Sequence, residues 1–361
     1  MLKLKRITAV LLCALAVLCA LSSCGFDPQK ELDRVCCSSA FSGVVRAVRD
    51  GEVLCEYAEG TENYSSDKRI TADSRFCVGS VSKQIAAACA MLLKERGALR
   101  VEDTLDKYYP DCVYGDRVTV RQLLTQRSGI AEFYRVEDSG GCYNEIPTGE
   151  LEGVVTNENT VEENRRLLTD WIISQPLIFE PGSYYMYTNS NYFLLTGIIA
   201  QLAGTSYENF ARENIFKPLG MNDTCFIDDD SSGFNLAQSP RAAKTVYVGI
   251  TRGLGDIVSN ARDMERWLDS LADNSVLKPE SVSEMTANYC SKADGTLYGY
   301  GIKPDNRGGL FHTGFFTTYC ALVYTVPEKR FTFFAATNDC KTVRGGMLEM
   351  FREIIKESAY S

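Results

Sequence analysis

Apolar and polar positions divide the chain into three zones. Two apolar-rich runs, Gly43–Arg49 and Glu52–Tyr57, flank Asp50-Gly51, a strong two-residue turn signal, so residues 43–58 predict a β-hairpin. An unbroken apolar run from Ile85 to Leu93 predicts a buried helix over Ser80 to about Arg96, with Gly97 at its end. Residues from about 100 to 245 read as helical and irregular, with Asn191–Leu202 as a second buried helix. The pattern then returns to strands at Tyr319–Val326 and Phe331–Thr337, joined by Pro327-Glu328-Lys329-Arg330, and a helix at about 344–357 closes the chain. Strands at both ends with helices between predict an α/β (α+β) fold. One antiparallel sheet is built from both termini and flanked by helices, with a mainly helical domain inserted. The sheet part is expected at about 41–95 and 246–361, and the helical part at about 96–245. There is no internal repeat.

One segment departs from this pattern. Residues 136–163 hold eight acidic residues and no basic ones, with Gly-Gly and a proline, and read as a solvated loop excursion or a determinant of substrate choice.

The start of the chain has a different character. Lys3, Lys5 and Arg6 precede an apolar run from Ile7 to Leu21 that, as a helix, would cover about 22 Å. That is short of the roughly 30 Å bilayer core, so residues 1–23 read as an export signal. The run ends in Leu21-Ser22-Ser23-Cys24, which resembles the bacterial lipoprotein signal. It implies acylation of Cys24, a tether and N-terminal segment over 24–40, and a cell-membrane lipoprotein facing outside the cytoplasm. Cleavage would take three positive charges with it, so the anchor would be lipid and not charge.

Composition narrows the chemistry. The 361 residues are 45% apolar and 24% charged, as in globular proteins. A net charge of −9 argues against a nucleic-acid partner. The single histidine, His312, and the absence of HExxH, CxxC, a Walker loop and GxGxxG leave no expected metal or cofactor. Of 14 cysteines, Cys13 and Cys19 leave with the signal and Cys24 takes the lipid. The odd remainder cannot all pair. Cys55, Cys89 and Cys320 sit in apolar segments as small hydrophobes, and one disulfide among Cys36, Cys37, Cys112 and Cys142 stays open.

With one histidine, activation of serine by lysine is the first nucleophile scheme to test. Ser-x-x-Lys occurs at Ser65/Lys68, Ser80/Lys83 and Ser275/Lys278, and only Ser80/Lys83 opens a buried helix. There the spacing puts hydroxyl and amine on one face of the first turn. The helix N-terminus directs free N–H groups at Ser80, and an apolar setting would depress the Lys83 pKa so that the amine accepts the serine proton. The plainer reading is a helix cap and a snorkelling lysine. Tyr187-Thr188-Asn189 follows the turn Phe179-Glu180-Pro181-Gly182 and offers a phenol for proton transfer and an amide for a substrate carbonyl. Tyr207-Glu208-Asn209 repeats the spacing in a polar helix start and reads as structural. His312-Thr313-Gly314 lies just before a strand and suits docking of a substrate backbone by strand addition.

Together these segments resemble the serine β-lactamase and penicillin-recognising superfamily, in the branch of class C β-lactamases, D-Ala-D-Ala carboxypeptidases, D-amino-acid peptidases and esterases. The resemblance spans about residues 40–340. It is carried by Phe76–Gln84, Val120–Ile130, Phe179–Gly182 leading to Tyr187–Tyr192, and Asn214–Met221. It implies a β-lactamase-like hydrolase domain over 41–361. Ser80 would form an acyl-enzyme, Lys83 and Tyr187 would share the proton work, and Asn189, His312, Thr313 and Gly314 would bind substrate. The backbone N–H groups of Ser80 and Phe315 would form the oxyanion hole. The substrate would be a small molecule or a peptidoglycan peptide: a D-amino-acid amide, a β-lactam or an ester. His312 stands where β-lactamases usually have lysine, which would make the charge there titrate near pH 6.5. The segment after Gly314 is about three residues shorter than usual, which bears on Phe315, and Gln126-Arg127 also depart from the family. Two alternatives stay open: a penicillin-binding sensor without turnover, and an esterase with His312 as base. Oligomeric state has no signal in the sequence.

Overall fold

The apolar runs of the terminal strands are continuous because the sheet they form is buried on both faces. The computed structural model describes residues 26–63, 67–138, 143–147, 149–227, 237, 251–343 and 345–360. The export signal, Cys24 and Cys142 lie outside these residues. The main sheet has six strands: β1 (Gly43–Arg49), β2 (Glu52–Glu59), β3 (Lys303–Pro304), β4 (Leu310–Phe316), β5 (Tyr319–Val326) and β6 (Phe331–Thr337). Their spatial order is β3-β4-β5-β6-β1-β2, antiparallel throughout. The termini meet where β1 pairs with β6, from Gly43 opposite Thr337 to Arg49 opposite Phe331.

Side chains alternate between two cores. Val44, Ala321, Val323, Phe334 and Ala336 face one of them. That core is shared with α2 (Ser82–Glu95), α4 (Asn189–Ala203) and α5 (Ala261–Asp273). Val45, Leu322, Tyr324 and Phe333 face the other, closed by α1 (Pro28–Ser39) and α6 (Arg352–Tyr360). The sheet expected from both termini, with helices inserted between, is the one observed.

Three local expectations need correction. The 24–40 stretch, read as a tether and N-terminal segment, is largely folded: it contains α1, capped by Asp27 with Pro28 at its first position, which buries Leu32 and Cys36 against the sheet. The acidic 136–163 stretch is not all loop. Tyr134–Asp138 and Tyr143–Pro147 pair as a hairpin, and α3 (Val161–Ser174) starts inside a Thr160/Glu163 capping box. Charge dominates that composition and hides both signals. The closing helix starts late and breaks at Phe351, since Gly345 and Gly346 both take positive φ; its pieces are Met347–Met350 and α6. Cys36, Cys37 and Cys112, named as disulfide candidates, are free thiols. Among the described residues no helix is long and apolar enough to cross a membrane.

Candidate active site

Ser80 sits on a single 3₁₀ turn, Gly79–Val81, that leads directly into α2. The sequence placed it in the α-helix itself. The tighter turn brings residues three apart into line, so Lys83 reaches back and its Nζ lies 3.1 Å from Ser80 Oγ. Ser82 staples the turn: its hydroxyl donates to Gly79 O at 2.7 Å and accepts from Ile257 N–H at 3.1 Å. Trp267 on α5 donates to Gln84 Oε1 at 2.7 Å and holds the next residue of α2.

Lys83 is fully buried. Besides Ser80, its Nζ donates to Asn189 Oδ1 and to Leu254 O, each at 2.7 Å. Those two oxygens can only accept. They take two amine hydrogens and leave the third direction of the nitrogen facing Ser80. The Tyr187 ring centroid lies 5.0 Å from the same nitrogen.

Asn189 is committed more deeply than the sequence suggested. Its Nδ2 donates to Glu132 Oε2 at 3.0 Å and to Tyr134 Oη at 2.7 Å, while Oδ1 takes Lys83. Both amide hydrogens are therefore used within the protein. The expected contact with a substrate carbonyl would require displacing Tyr134 or Glu132. Glu132 also accepts the Asn189 backbone N–H at 2.7 Å and so caps α4, where Thr188 makes no side-chain cap. Burial pushes the Glu132 carboxyl above its ordinary pKa, against the Asn189 and Phe133 N–H groups and the Lys83 charge.

His312 is buried on β4. Its Nδ1 faces Thr313 O at 2.7 Å; a carbonyl only accepts, so this nitrogen carries the hydrogen. Nε2 lies 3.5 Å from the Tyr298 hydroxyl. Loss of solvent, then the Lys303 and Lys83 charges, push the imidazole pKa down to about 3. The expectation of titration near pH 6.5 is therefore corrected: the ring is neutral at physiological pH. The Tyr187 ring centre lies 6.2 Å from it and 6.1 Å from that of Tyr298.

The oxyanion candidates converge because glycine lets two backbones touch. A methyl on Gly314 would fall 1.8 Å from Val78 O and 3.2 Å from Ser80 N. One on Gly79, at φ +53°, would fall 2.5 Å from Phe315 N. The shortened segment after Gly314 is a Thr317-Thr318 connection, with Thr317 at φ +53° and Phe315 still in register opposite Cys320. A cleft of about 400 Å³ opens here, and Ser80, Tyr187, His312, Thr313, Gly314 and Phe315 all line it.

Several participants escaped sequence reasoning. Glu132, Tyr134, Leu254 and Tyr298 belong to no motif and act through one atom each. Lys303, on the edge strand, also lines the cleft. Gln126 and Arg127 gain a function as clamps on the Tyr187 segment. Gln126 Oε1 accepts from Thr188 N–H at 3.1 Å and Asn191 Nδ2 at 2.6 Å. Arg127 binds Gly182 O at 2.6 Å and Asp294 at 2.7 Å. Of the competing Ser-x-x-Lys pairs, Ser65 lies outside the described residues while its Lys68 pairs with Glu62, and Lys278 occupies the N-cap position of the helix Pro279–Thr286 without a side-chain cap. Tyr207 is buried among Phe226 and other core residues, as a structural reading requires.

The chain is similar to penicillin-binding protein 4* of Bacillus subtilis (strain 168), 31% identical over 186 residues, 51% of this chain and 38% of that protein. It is 28% identical to the D-aminopeptidase of Brucella anthropi over 286 residues, 75% of this chain and 50% of that protein. It thus spans between about two fifths and three fifths of the relatives it matches. Among solved structures, the octameric penicillin-binding protein homologue from Pyrococcus abyssi superposes with a TM-score of 0.72 at 24% identity, over 90% of this chain and 75% of that one. The D-amino acid amidase from Ochrobactrum anthropi SV3 gives 0.70 at 21%, over 92% and 96%. A Beta-lactamase family model matches residues 34–350. With that match spanning nearly the whole described fold, the chain belongs to the β-lactamase family.

Proposed function

We propose that this chain is a serine hydrolase that works through a Ser80 acyl-enzyme on a D-amino-acid peptide amide, a β-lactam or an ester. The observation that carries this reading is the 3.1 Å contact between Ser80 Oγ and a buried Lys83 that also donates to Asn189 Oδ1 and Leu254 O. In its free-base form Lys83 gives two hydrogens to Asn189 and Leu254 and turns its lone pair to the serine. Ser80 Oγ then attacks the acyl carbon as its proton passes to Nζ. The oxygen that gains charge is received by the N–H groups of Ser80 and Phe315. Collapse expels the leaving group, protonated through Tyr187, and water releases the acyl chain by the reverse path.

A His312-based scheme fits less well. That imidazole has its Nδ1 hydrogen on Thr313 O and a pKa near 3, too low to hold a serine proton. We further propose, on the sequence of residues 1–24 alone, an exported lipoprotein held by Cys24. Turnover of a D-alanyl peptide, a chromogenic cephalosporin and a p-nitrophenyl ester, each with the Ser80→Ala variant beside it, tests the reading. Turnover of any of them that needs Ser80 supports a hydrolase. Stoichiometric acylation without turnover identifies a penicillin-binding sensor.

A further inference from the structure

We propose that Cys320 and Cys340 form a reversible disulfide on the wall of the cleft, made by exchange with a low-molecular-weight disulfide, and that the bridged form narrows the cleft. The bond itself is independent of the Ser80 reading, and its effect on acylation rests on that reading.

Both residues are half-buried thiols. Cys320 lines the cleft together with Ser80 and Gly314. It stands in register opposite Phe315, the expected oxyanion donor. Cys340 is twenty residues further along the chain, and the hairpin of β5 and β6 folds it back. Cys320 lies opposite Thr337, the last residue of β6, and the single turn Cys340–Thr342 follows at once. The Cys340 N–H donates to Thr318 O at 2.8 Å, which holds that turn over the start of β5. There the two thiols meet in a side-chain hydrogen bond.

That hydrogen bond, then loss of solvent, hold the Cys320 proton above its ordinary pKa. The Cys340 sulfur accepts the hydrogen, so it is the better thiolate and attacks first. With oxidised glutathione it displaces one glutathione thiolate and becomes a mixed disulfide. Cys320 then gives up its proton, attacks the Cys340 sulfur and expels the second glutathione. Two cysteine thiols are oxidised to one disulfide. One oxidised glutathione is reduced to two thiols, on which the two protons end.

The bridge requires a sulfur–sulfur distance of about 2.05 Å, shorter than hydrogen-bonded thiols allow, so one side must move. β5 is held along both edges, by β4 from Tyr319 to Thr325 and by β6 from Cys320 to Val326. The other side is one 3₁₀ turn, followed by Gly345 and Gly346 at positive φ. The turn is therefore the part that moves. Val343, Gly346 and Met347 follow it and line the same cleft. Drawing them toward Cys320 reduces the space beside Phe315.

The test equilibrates the purified chain with oxidised or reduced glutathione, blocks remaining thiols with iodoacetamide and maps the unreduced peptides. Acylation is timed with two activated esters, one carrying an acetyl and one a bulky aromatic acyl group. The expected result is a Cys320–Cys340 linked peptide in the oxidised sample that reduced glutathione removes. Acylation by the bulky ester, relative to the acetyl ester, should fall about tenfold or more on oxidation and recover on reduction. Amide exchange at Lys341–Val343 should slow in the oxidised sample. Cys340→Ser and Cys320→Ser should acylate like the reduced wild type under both conditions. Full alkylation of both cysteines after excess oxidised glutathione, or a mixed disulfide that never closes, would overturn the bridge. A linked pair with unchanged ester preference and unchanged exchange would overturn the narrowing. Absence of acylation in every sample would remove the Ser80 reading instead, and peptide mapping with amide exchange would then decide the bridge alone.

Discussion

Asn189 Oδ1 accepts a hydrogen bond from Lys83 Nζ at 2.7 Å while Asn189 Nδ2 donates to Glu132 at 3.0 Å. The Glu132 carboxylate fixes which way the amide faces, and the amide in turn fixes Lys83 beneath Ser80. Asn189→Ala removes one bond to the lysine, and such bonds to a charged group are worth about 1.5–3 kcal/mol. Acylation should slow by about ten- to a hundredfold, with KM changing less than kcat. Stopped-flow acylation with an activated ester measures it. An unchanged rate would show that Asn189 does not position Lys83.

Glu132→Gln separates orientation from charge, because an amide oxygen can still accept from Asn189. Loss of a negative charge near Lys83 destabilises the ammonium form. The acid limb of the acylation profile should therefore move to lower pH. A limb that stays in place, with the fold intact by circular dichroism, would mean the Glu132 charge is not felt at the amine.

Most of the sheet was legible in the sequence, and the physical reason is local. Asp50-Gly51 and Pro327–Arg330 are strong connections between apolar runs, and the runs fixed which residues are strands. Ser80 and Lys83 were legible because a three-residue spacing brings them together, and Tyr187 because it heads a Tyr-x-Asn motif, although the fold brings it from more than a hundred residues away. The amide of Asn189 was misjudged because its partners, Glu132 and Tyr134, come from a segment some 55 residues away in the chain. Leu254 contributes a carbonyl, which no side-chain pattern can announce. The state of His312 depends on burial beneath Tyr298 and on two lysines, so its composition-level value near 6.5 did not survive folding.

That burial makes stability depend on pH. In the unfolded chain the imidazole titrates near pH 6.5, and in the folded chain near 3. Between these values the unfolded state binds the extra proton, so stability is full above pH 6.5 and falls as pH drops toward 3. At pH 5 the loss from this group alone should be about 2 kcal/mol. Urea unfolding of the wild type and His312→Gln at pH 8 and pH 5 measures it. The variant should lose less stability between the two pH values. Equal losses would show that His312 is not held neutral by the fold.

Gly314→Ala probes the meeting of β4 with the Ser80 turn. Its methyl would overlap Val78 O, at 1.8 Å, so the strand must withdraw from the turn. A displacement of about 1 Å at a reacting group can cost on the order of a hundredfold in rate. Acylation should fall by that order while the far hairpin of β1 and β2 keeps its amide-exchange protection. A fully active variant would mean that the two backbones need not touch.

The central claim is that Ser80 takes up the acyl group. Intact-mass measurement after brief mixing with a fluorescent penicillin and with an activated ester, followed by peptide mapping, tests it most directly. One acyl group per chain is expected on the peptide that contains Ser80, trapped with at least one of the two reagents, with no adduct on Ser80→Ala and a strongly slowed adduct on Lys83→Ala. An adduct on any other residue, or the same adduct on Ser80→Ala, would contradict it.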